Sequence, residues 1–236
     1  MFICDFMKAP IVEIFSSIQG EGLLIGKRQI FVRFAGCNLS CNYCDTSKSQ
    51  KSSYGTILSV EEVIAKINSL KTPDLHSISF TGGEPLLYTD FINEIIEKTD
   101  LKIFLETNGT LPDKIRKLKR IDFVSLDFKI PEHFDNGFNK EIFESEIKTL
   151  KILIECNSYI YCKLVVLPST ELSTIEKIAK RIDNEANTNV SLVIQPVSPI
   201  EQWQSNINKL FGFSEIAGKY VDVSVIPQTH KFLKID

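Results

Sequence analysis

QIFVRFAGCNLSCNYCDT (residues 29–46) starts as a strand and ends as a loop of thiols. Its first seven residues are apolar or aromatic, broken only by Gln29 and Arg33. That composition reads as a β-strand. The next eleven residues hold three cysteines, spaced Cys37-x3-Cys41-x2-Cys44. A disulfide framework needs an even number of thiols, and a structural zinc needs four ligands. Three thiolates suit a four-iron, four-sulfur cluster whose fourth iron stays open. The alternative is a zinc knuckle completed by a distant His76, His133 or His230, none of which stands at the usual close spacing. Cys4, Cys156 and Cys162 lie at no ligand spacing and read as small buried hydrophobes.

Beyond the loop the chain settles into a rhythm. SKSQKSSYG (47–55) is polar and reads as a surface loop. SVEEVIAKINSL (59–70) is an amphipathic helix opened by a capping box, Ser59 with Glu62. Strands are predicted at 77–85, 102–110, 120–129, 159–168, 189–199 and 220–230. Helices are predicted between them at 90–98, 113–120, 140–155, 173–183 and 200–211, the fourth with a second capping box, Ser173 to Glu176. Alternating strands and helices make βα units on a mostly parallel sheet. The fold class is α/β, a partial, open TIM-type β/α barrel with about six core parallel strands, because the length falls short of the eight of a full barrel. Residues 1–236 form one domain. In such a barrel, functional groups gather at the C-terminal ends of the strands, which puts the cysteines at one mouth with the turns TGGE, ETNG, LDFK, QPVS and PQTH.

Bulk properties narrow the function. The chain has 30 acidic against 27 basic side chains, a net charge of −3 and a pI near 5.7. There is no broad basic field for a phosphate backbone, so nucleic acid is not an expected partner. No stretch approaches the ~20 apolar residues of a membrane span. MFICDFMKAPIVEIF (1–15) has no cationic segment followed by a clean apolar run, so no signal peptide is expected. A cytoplasmic location follows, where a tight cysteine cluster is a metal or redox site.

Cys37-x3-Cys41-x2-Cys44 after one strand, and TGGEP (81–85) at the end of the next, resemble the radical S-adenosylmethionine (SAM) superfamily. Gly82 and Gly83 let the backbone come close to a ligand, and Glu84 offers a carboxylate to an ammonium. A narrower resemblance covers almost the whole chain. IFSSIQGEG (14–22), IFVRFAGCNLSCNYCDT (30–46), FTGGEPLL (80–87), ETNGT (106–110) and PQTHKFL (227–233) are together similar to the 7-carboxy-7-deazaguanine synthases. The resemblance implies a carbon–nitrogen lyase that converts 6-carboxy-5,6,7,8-tetrahydropterin to 7-carboxy-7-deazaguanine with loss of ammonia. It implies a 4Fe-4S cluster, SAM and Mg2+ as cofactors, a flavodoxin or ferredoxin as electron donor, and a homodimer.

It also implies roles for residues. Cys37, Cys41 and Cys44 hold the cluster, and Thr46 holds Mg2+, a hard cation that prefers oxygen. Gly82, Gly83, Glu84, Asp127, Phe128, Lys129 and Gln195 contact SAM, although the family often has Ser-Pro-Lys where this chain has Asp-Phe-Lys. Gln19 and the backbone of Ile18 and Gly20 read the pterin edge, with Glu21 helping to position it. Arg33 interrupts an apolar strand. A buried guanidinium needs an anion, either a structural partner or, as the family implies, the substrate carboxylate. Thr81, His230 and Asp236 complete the substrate contacts. Two rivals share parts of the pattern. A glycyl-radical activase has the same cysteine spacing but no reason for QGEG or QTHKFL, and a zinc or iron–sulfur binding module leaves GGEP idle.

Overall fold

The structure, a computed structural model, describes residues 7–135, 139–156, 158–186 and 190–235. In chain order its elements are β1 (Lys8–Ile18), β2 (Arg28–Phe34), β3 (Thr56–Ser59), α1 (Val60–Ser69), β4 (Leu75–Gly82), α2 (Thr89–Glu97), β5 (Ile103–Thr107) and α3 (Pro112–Ile115). There follow β6 (Phe123–Phe128), α4 (Lys140–Glu155), β7 (Tyr159–Val166), α5 (Leu172–Ala186), β8 (Ser191–Pro196), α6 (Ile207–Ala217), β9 (Val223–Val225) and α7 (Thr229–Leu233). One nine-stranded sheet runs β3-β1-β2-β4-β5-β6-β7-β8-β9. From β2 to β9 all neighbours are parallel, while β1 is antiparallel to both β2 and β3. Six parallel strands of five residues or more form the core, as expected, and the three-residue β9 adds a short seventh.

The sheet is curved and open. On a flat sheet β1 and β7, five strand spacings apart, would be separated by about 24 Å. Yet Lys163 in β7 reaches Glu21, just past β1, at 2.8 Å. The two end strands, β3 and β9, do not pair with each other.

Side chains alternate across each strand. The outer face carries Ile30, Val32, Phe34, Ile78, Phe80, Val124, Leu126, Phe128 and Leu164, all buried under the helices. The inner face carries Gln29, Ser77, Ser79, Thr81, Ser125 and Gln195, buried yet polar. A small apolar plug of Leu24, Phe104, Tyr161 and Val193 lies among them. Below the mouth the polar groups form a line. Gln19 Nε2 donates to Gln29 Oε1 at 3.0 Å, Gln29 Nε2 to Ser77 Oγ at 3.0 Å, and Ser77 Oγ meets His76 Nδ1 at 3.0 Å.

Several local expectations change. The capping box at Ser59 and Glu62 is present, with Ser59 N donating to Glu62 Oε2 at 2.7 Å. The second box is absent: α5 already begins at Leu172, which leaves Ser173 inside the first turn. Residues 200–211 are not one helix. A 3-10 turn at Ile200–Trp203 is pinned by Trp203 Nε1 donating to Val197 O at 3.1 Å, and α6 starts only at Ile207. The last predicted strand shrinks to β9, and Thr229–Leu233 of PQTHKFL forms α7. Neither β1 nor β3 was anticipated. Residues 47–55 form two 3-10 turns, exposed except at Ser49 and the half-buried Gln50 and Gly55. Cys162 is buried as expected, but Cys156 is exposed at the end of α4, where the strip facing the core has run out. Cys4 lies outside the described residues. No helix of the described residues is long and apolar enough to cross a membrane.

Candidate active site

The strand ends surround a cavity of about 580 Å3. All three cysteines of the loop stand half-buried in its wall. The loop is stitched in place by backbone bonds: Gly36 N to Ser49 O (2.8 Å), Cys37 N to Gln50 O (3.0 Å) and Asn42 N to His133 O (2.9 Å). Donors already face one sulfur, since Leu39 N lies 3.4 Å and Asn108 Nδ2 3.9 Å from Cys37 Sγ. Burial pushes the Cys41 thiol up to about 11, so thiolate forms here only against a cation.

The spread of the sulfurs separates the two metal readings. Among the described residues one trio of His, Cys, Asp or Glu brings its ligating atoms within 4.8 Å of one another: Glu21, Asp45 and His230. The three sulfurs therefore do not all lie within that distance of one another. Tetrahedral zinc would draw them to roughly 3.8 Å apart. A four-iron cube, with each thiolate on its own corner, takes the wider set. Two of the three histidines are not free to complete a zinc site, and the third, His230, groups with Glu21 and Asp45. Both nitrogens of His133 are engaged, Nδ1 by Ile130 N at 3.3 Å and Nε2 by Val165 O at 2.8 Å. His76 sits at the opposite end of β4, against Ser77.

The GGEP turn is tied to the end of β2. Gly83 N donates to Phe34 O at 3.0 Å and Glu84 N to Gly36 O at 2.8 Å. Gly82 has φ +121, and a Cβ there would stand 2.2 Å from Phe34 O. One on Gly83 would stand 2.0 Å from Gly36 O. The glycines are thus required by neighbouring backbone, not by a ligand alone. Glu84 also departs from expectation. Its carboxylate does not face the cavity: it is fully buried and accepts Leu86 N (3.0 Å), Thr107 Oγ1 (2.8 Å) and Asn108 N (2.8 Å). Burial pushes this carboxyl up to about 7, against the pull of those donors.

Charged groups line the rest of the wall. Arg33 Nε donates to Glu13 Oε1 at 2.7 Å, and its NH1 lies 3.4 Å from Thr46 Oγ1. The structural partner therefore exists, and it takes only one edge of the guanidinium. The Thr46 hydroxyl donates to Asp45 Oδ1 at 2.9 Å and accepts from Arg33, which leaves one oxygen lone pair for a further acceptor role. Glu21 is pinned by Lys163 Nζ (2.8 Å) and Gln228 Nε2 (2.7 Å). Burial pushes the Glu21 carboxyl up, but Lys163 outweighs it and holds the group at about 2. Lys129 donates to Asp127 Oδ2 at 2.6 Å and Tyr43 OH at 2.7 Å. Burial pushes Lys129 down, and Asp127 reverses this and holds it well above its usual range. Gln19 donates to Glu106 Oε1 at 2.9 Å, and Thr81 Oγ1 to Glu106 Oε2 at 2.6 Å.

Thus the structure brings Gln19, Gly20, Glu21, Arg33, Thr46, Thr81, Gly82, Gly83, Asp127, Lys129, Gln195 and His230 to the cavity with the cysteines. Two buried acceptors on the wall, Asp127 Oδ1 and Gln195 Oε1, have no protein partner, as a site for a polar ligand leads one to expect. Two predicted residues, Phe128 and Glu84, have side chains elsewhere. Phe128 alternates with Asp127 and Lys129 and is fully buried on the outer face, 5.9 Å from the Phe143 ring. Glu84 lies behind the wall, and the Ile18 side chain is exposed at the end of β1, which does not bear on the backbone role expected of it. Asp236 is outside the described residues. Tyr43, Asp45, Glu106, Lys163 and Gln228 were missed. Glu106 and Lys163 carried the same signal as Arg33, a charge inside an apolar strand.

The radical SAM superfamily profile matches residues 31–182. Over nearly its full length the chain is 48% identical to the 7-carboxy-7-deazaguanine synthase of Methanothermobacter thermautotrophicus, covering 96% of this chain and 98% of that protein. It is 40% identical to the one from Methanocaldococcus jannaschii, covering 94% and 98%. Among solved structures, QueE from Escherichia coli superposes with a TM-score of 0.61 over 93% of this chain and 94% of that one, at 19% identity, a likeness of fold.

Proposed function

The chain belongs to the 7-carboxy-7-deazaguanine synthases of the radical SAM superfamily, and from that premise we propose how its own residues serve the reaction. The activity is the conversion of 6-carboxy-5,6,7,8-tetrahydropterin to 7-carboxy-7-deazaguanine with loss of ammonia, using a 4Fe-4S cluster and SAM. The activase reading is not favoured by relatives this similar. The observation that carries the proposal is three half-buried cysteines on one loop, facing a small cavity walled by paired charges.

Cys37, Cys41 and Cys44 would hold the cluster. When bound, cluster and SAM supply the one-electron chemistry that takes a hydrogen atom from the substrate. The chain supplies binding, orientation and a dry wall. The Gly82–Gly83 backbone, Asp127, Lys129 and Gln195 would receive the polar groups of SAM; the free acceptors Asp127 Oδ1 and Gln195 Oε1 support this. The outer edge of Arg33 would clamp the substrate carboxylate bidentately. Thr46 would hold Mg2+ through its hydroxyl oxygen beside that carboxylate. Glu21 stays ionised at neutral pH and acts as an acceptor, not a base. Gln19, Gly20, Thr81 and His230 line the pterin side. One continuous sheet supports reading residues 1–236 as a single domain. The family resemblance supports a cytoplasmic homodimer fed by a flavodoxin or ferredoxin.

The test is anaerobic turnover of reconstituted protein with SAM, dithionite, Mg2+ and the carboxytetrahydropterin, read by mass spectrometry. The expected products are 7-carboxy-7-deazaguanine and 5′-deoxyadenosine. 5′-Deoxyadenosine alone would keep the superfamily and remove the substrate.

A further inference from the structure

Gln228 joins three separate parts of the cavity wall. It is 8% exposed. Its Nε2 gives one hydrogen to Glu21 Oε1 at 2.7 Å and one to Asp45 Oδ2 at 2.8 Å. Its Oε1 accepts from the Ser198 hydroxyl, which follows β8. This network fixes the amide: turned over, it would aim its oxygen at two carboxylates. Glu21 and Asp45, with His230, bring their ligating atoms within 4.8 Å of one another. Two carboxylates so close repel. Lys163 holds the other oxygen of Glu21 at 2.8 Å, and Lys231 stands 3.5 Å from the same Asp45 oxygen that accepts from Gln228. Between the two carboxylates stands a neutral amide. Each carboxylate already has its own lysine, so a neutral glutamine bridges the two without adding a third cation.

Gln228 is not needed merely to dock the C-terminal segment. Thr229 already ties that segment down, with its N donating to Gly20 O at 2.9 Å and its Oγ1 at 3.2 Å. We propose that Gln228 is a positioning residue whose amide presets Glu21 and Asp45 as one acceptor unit, so that it governs affinity for the substrate without touching the reacting atoms. The proposal rests on the pterin reading above.

The experiment compares Gln228→Glu, Gln228→Met and the control Thr229→Val in the reconstituted full chain. Direct binding of 6-carboxytetrahydropterin is measured beside kcat and KM. Both Gln228 variants should raise the dissociation constant and KM for the pterin about 10- to 100-fold, the loss of one or more charge-assisted hydrogen bonds. Their kcat at saturation should stay within about threefold, the mark of an interaction made equally in ground and transition states. Thr229→Val should leave KM within about twofold. Should Gln228→Glu fail to fold, the uncharged Gln228→Met of similar length carries the test. Unchanged pterin affinity in the Gln228 variants, a loss confined to kcat, or an equal loss in Thr229→Val would overturn the proposal. A wild-type chain that binds no pterin sinks the functional reading and this inference with it. A pterin-binding wild type with indifferent Gln228 variants sinks this inference alone.

Discussion

Glu84→Ala is expected to damage the fold before it damages ligand binding. The carboxylate accepts two backbone N–H groups and the Thr107 hydroxyl, and no part of it is exposed. Alanine strands all three donors in a dry interior. Each stranded donor costs roughly 1–3 kcal/mol, so about 3–9 kcal/mol is expected in total, a large share of a domain's usual 5–15 kcal/mol. The loss should depend on pH, with a definite sign. Burial raises the Glu84 carboxyl from 4.5 to about 7. Its stabilising contribution is therefore full below pH ~4.5 and is lost as pH rises through ~7. Between pH 5.5 and pH 8 the penalty of the substitution should shrink by about 2 kcal/mol. Urea denaturation followed by circular dichroism, at both pH values and on both proteins, measures this. A penalty under about 1 kcal/mol, or one that does not change with pH, would show that the carboxylate does not latch the β4 turn. A weakened SAM affinity in a fully stable variant would return Glu84 to the ligand.

Three other outcomes are expected. Cys41→Ala should fail to load iron and turn over no pterin; a loaded, active variant would unseat the cluster loop. Arg33→Ala should weaken pterin binding about 10- to 100-fold in titrations while SAM affinity holds, if the guanidinium edge not spent on Glu13 takes the substrate carboxylate as proposed. Lys163→Met should cost about 3–5 kcal/mol in chemical denaturation near neutral pH by leaving Glu21 without its cation. Since Lys163 holds Glu21 near 2, that stabilisation exists above pH ~4.5 and fades as pH falls through ~2, so the gap from wild type should narrow in acid.

What the sequence disclosed follows what local pattern can encode. The cysteine loop, the βα rhythm and the α1 capping box are short-range and read directly. So does the charge at Arg33, and the same rule applied to Glu106 and Lys163 would have found two more residues of the wall. Phe128 was misplaced because a three-residue motif was taken whole, although alternation sends its middle residue to the opposite face. Glu84 was misassigned because a carboxylate beside two glycines gives no hint that the Thr107–Asn108 turn will claim it. The partnership of Gln228 with Glu21 and Asp45 spans 207 and 183 residues and has no local trace. β1 escaped because its polar residues broke the apolar run, yet antiparallel pairing on two sides keeps it in the sheet.

The line of Gln19, Gln29, Ser77 and His76 inside the barrel has a consequence for how such a chain can change over time. Each amide both gives and receives, so replacing Gln29 with leucine leaves Gln19 without one acceptor and Ser77 without a donor. No single substitution can pass quietly there; the neighbours must change together. The outer face, where Ile30, Ile78 and Val124 meet only other hydrocarbon, has no such grammar and can drift one methyl group at a time. The slow-changing part of this barrel should therefore be its inside, set by hydrogen-bond direction and not by volume. Double-mutant cycles across Gln19, Gln29 and Ser77 should show coupling that pairs on the outer face lack.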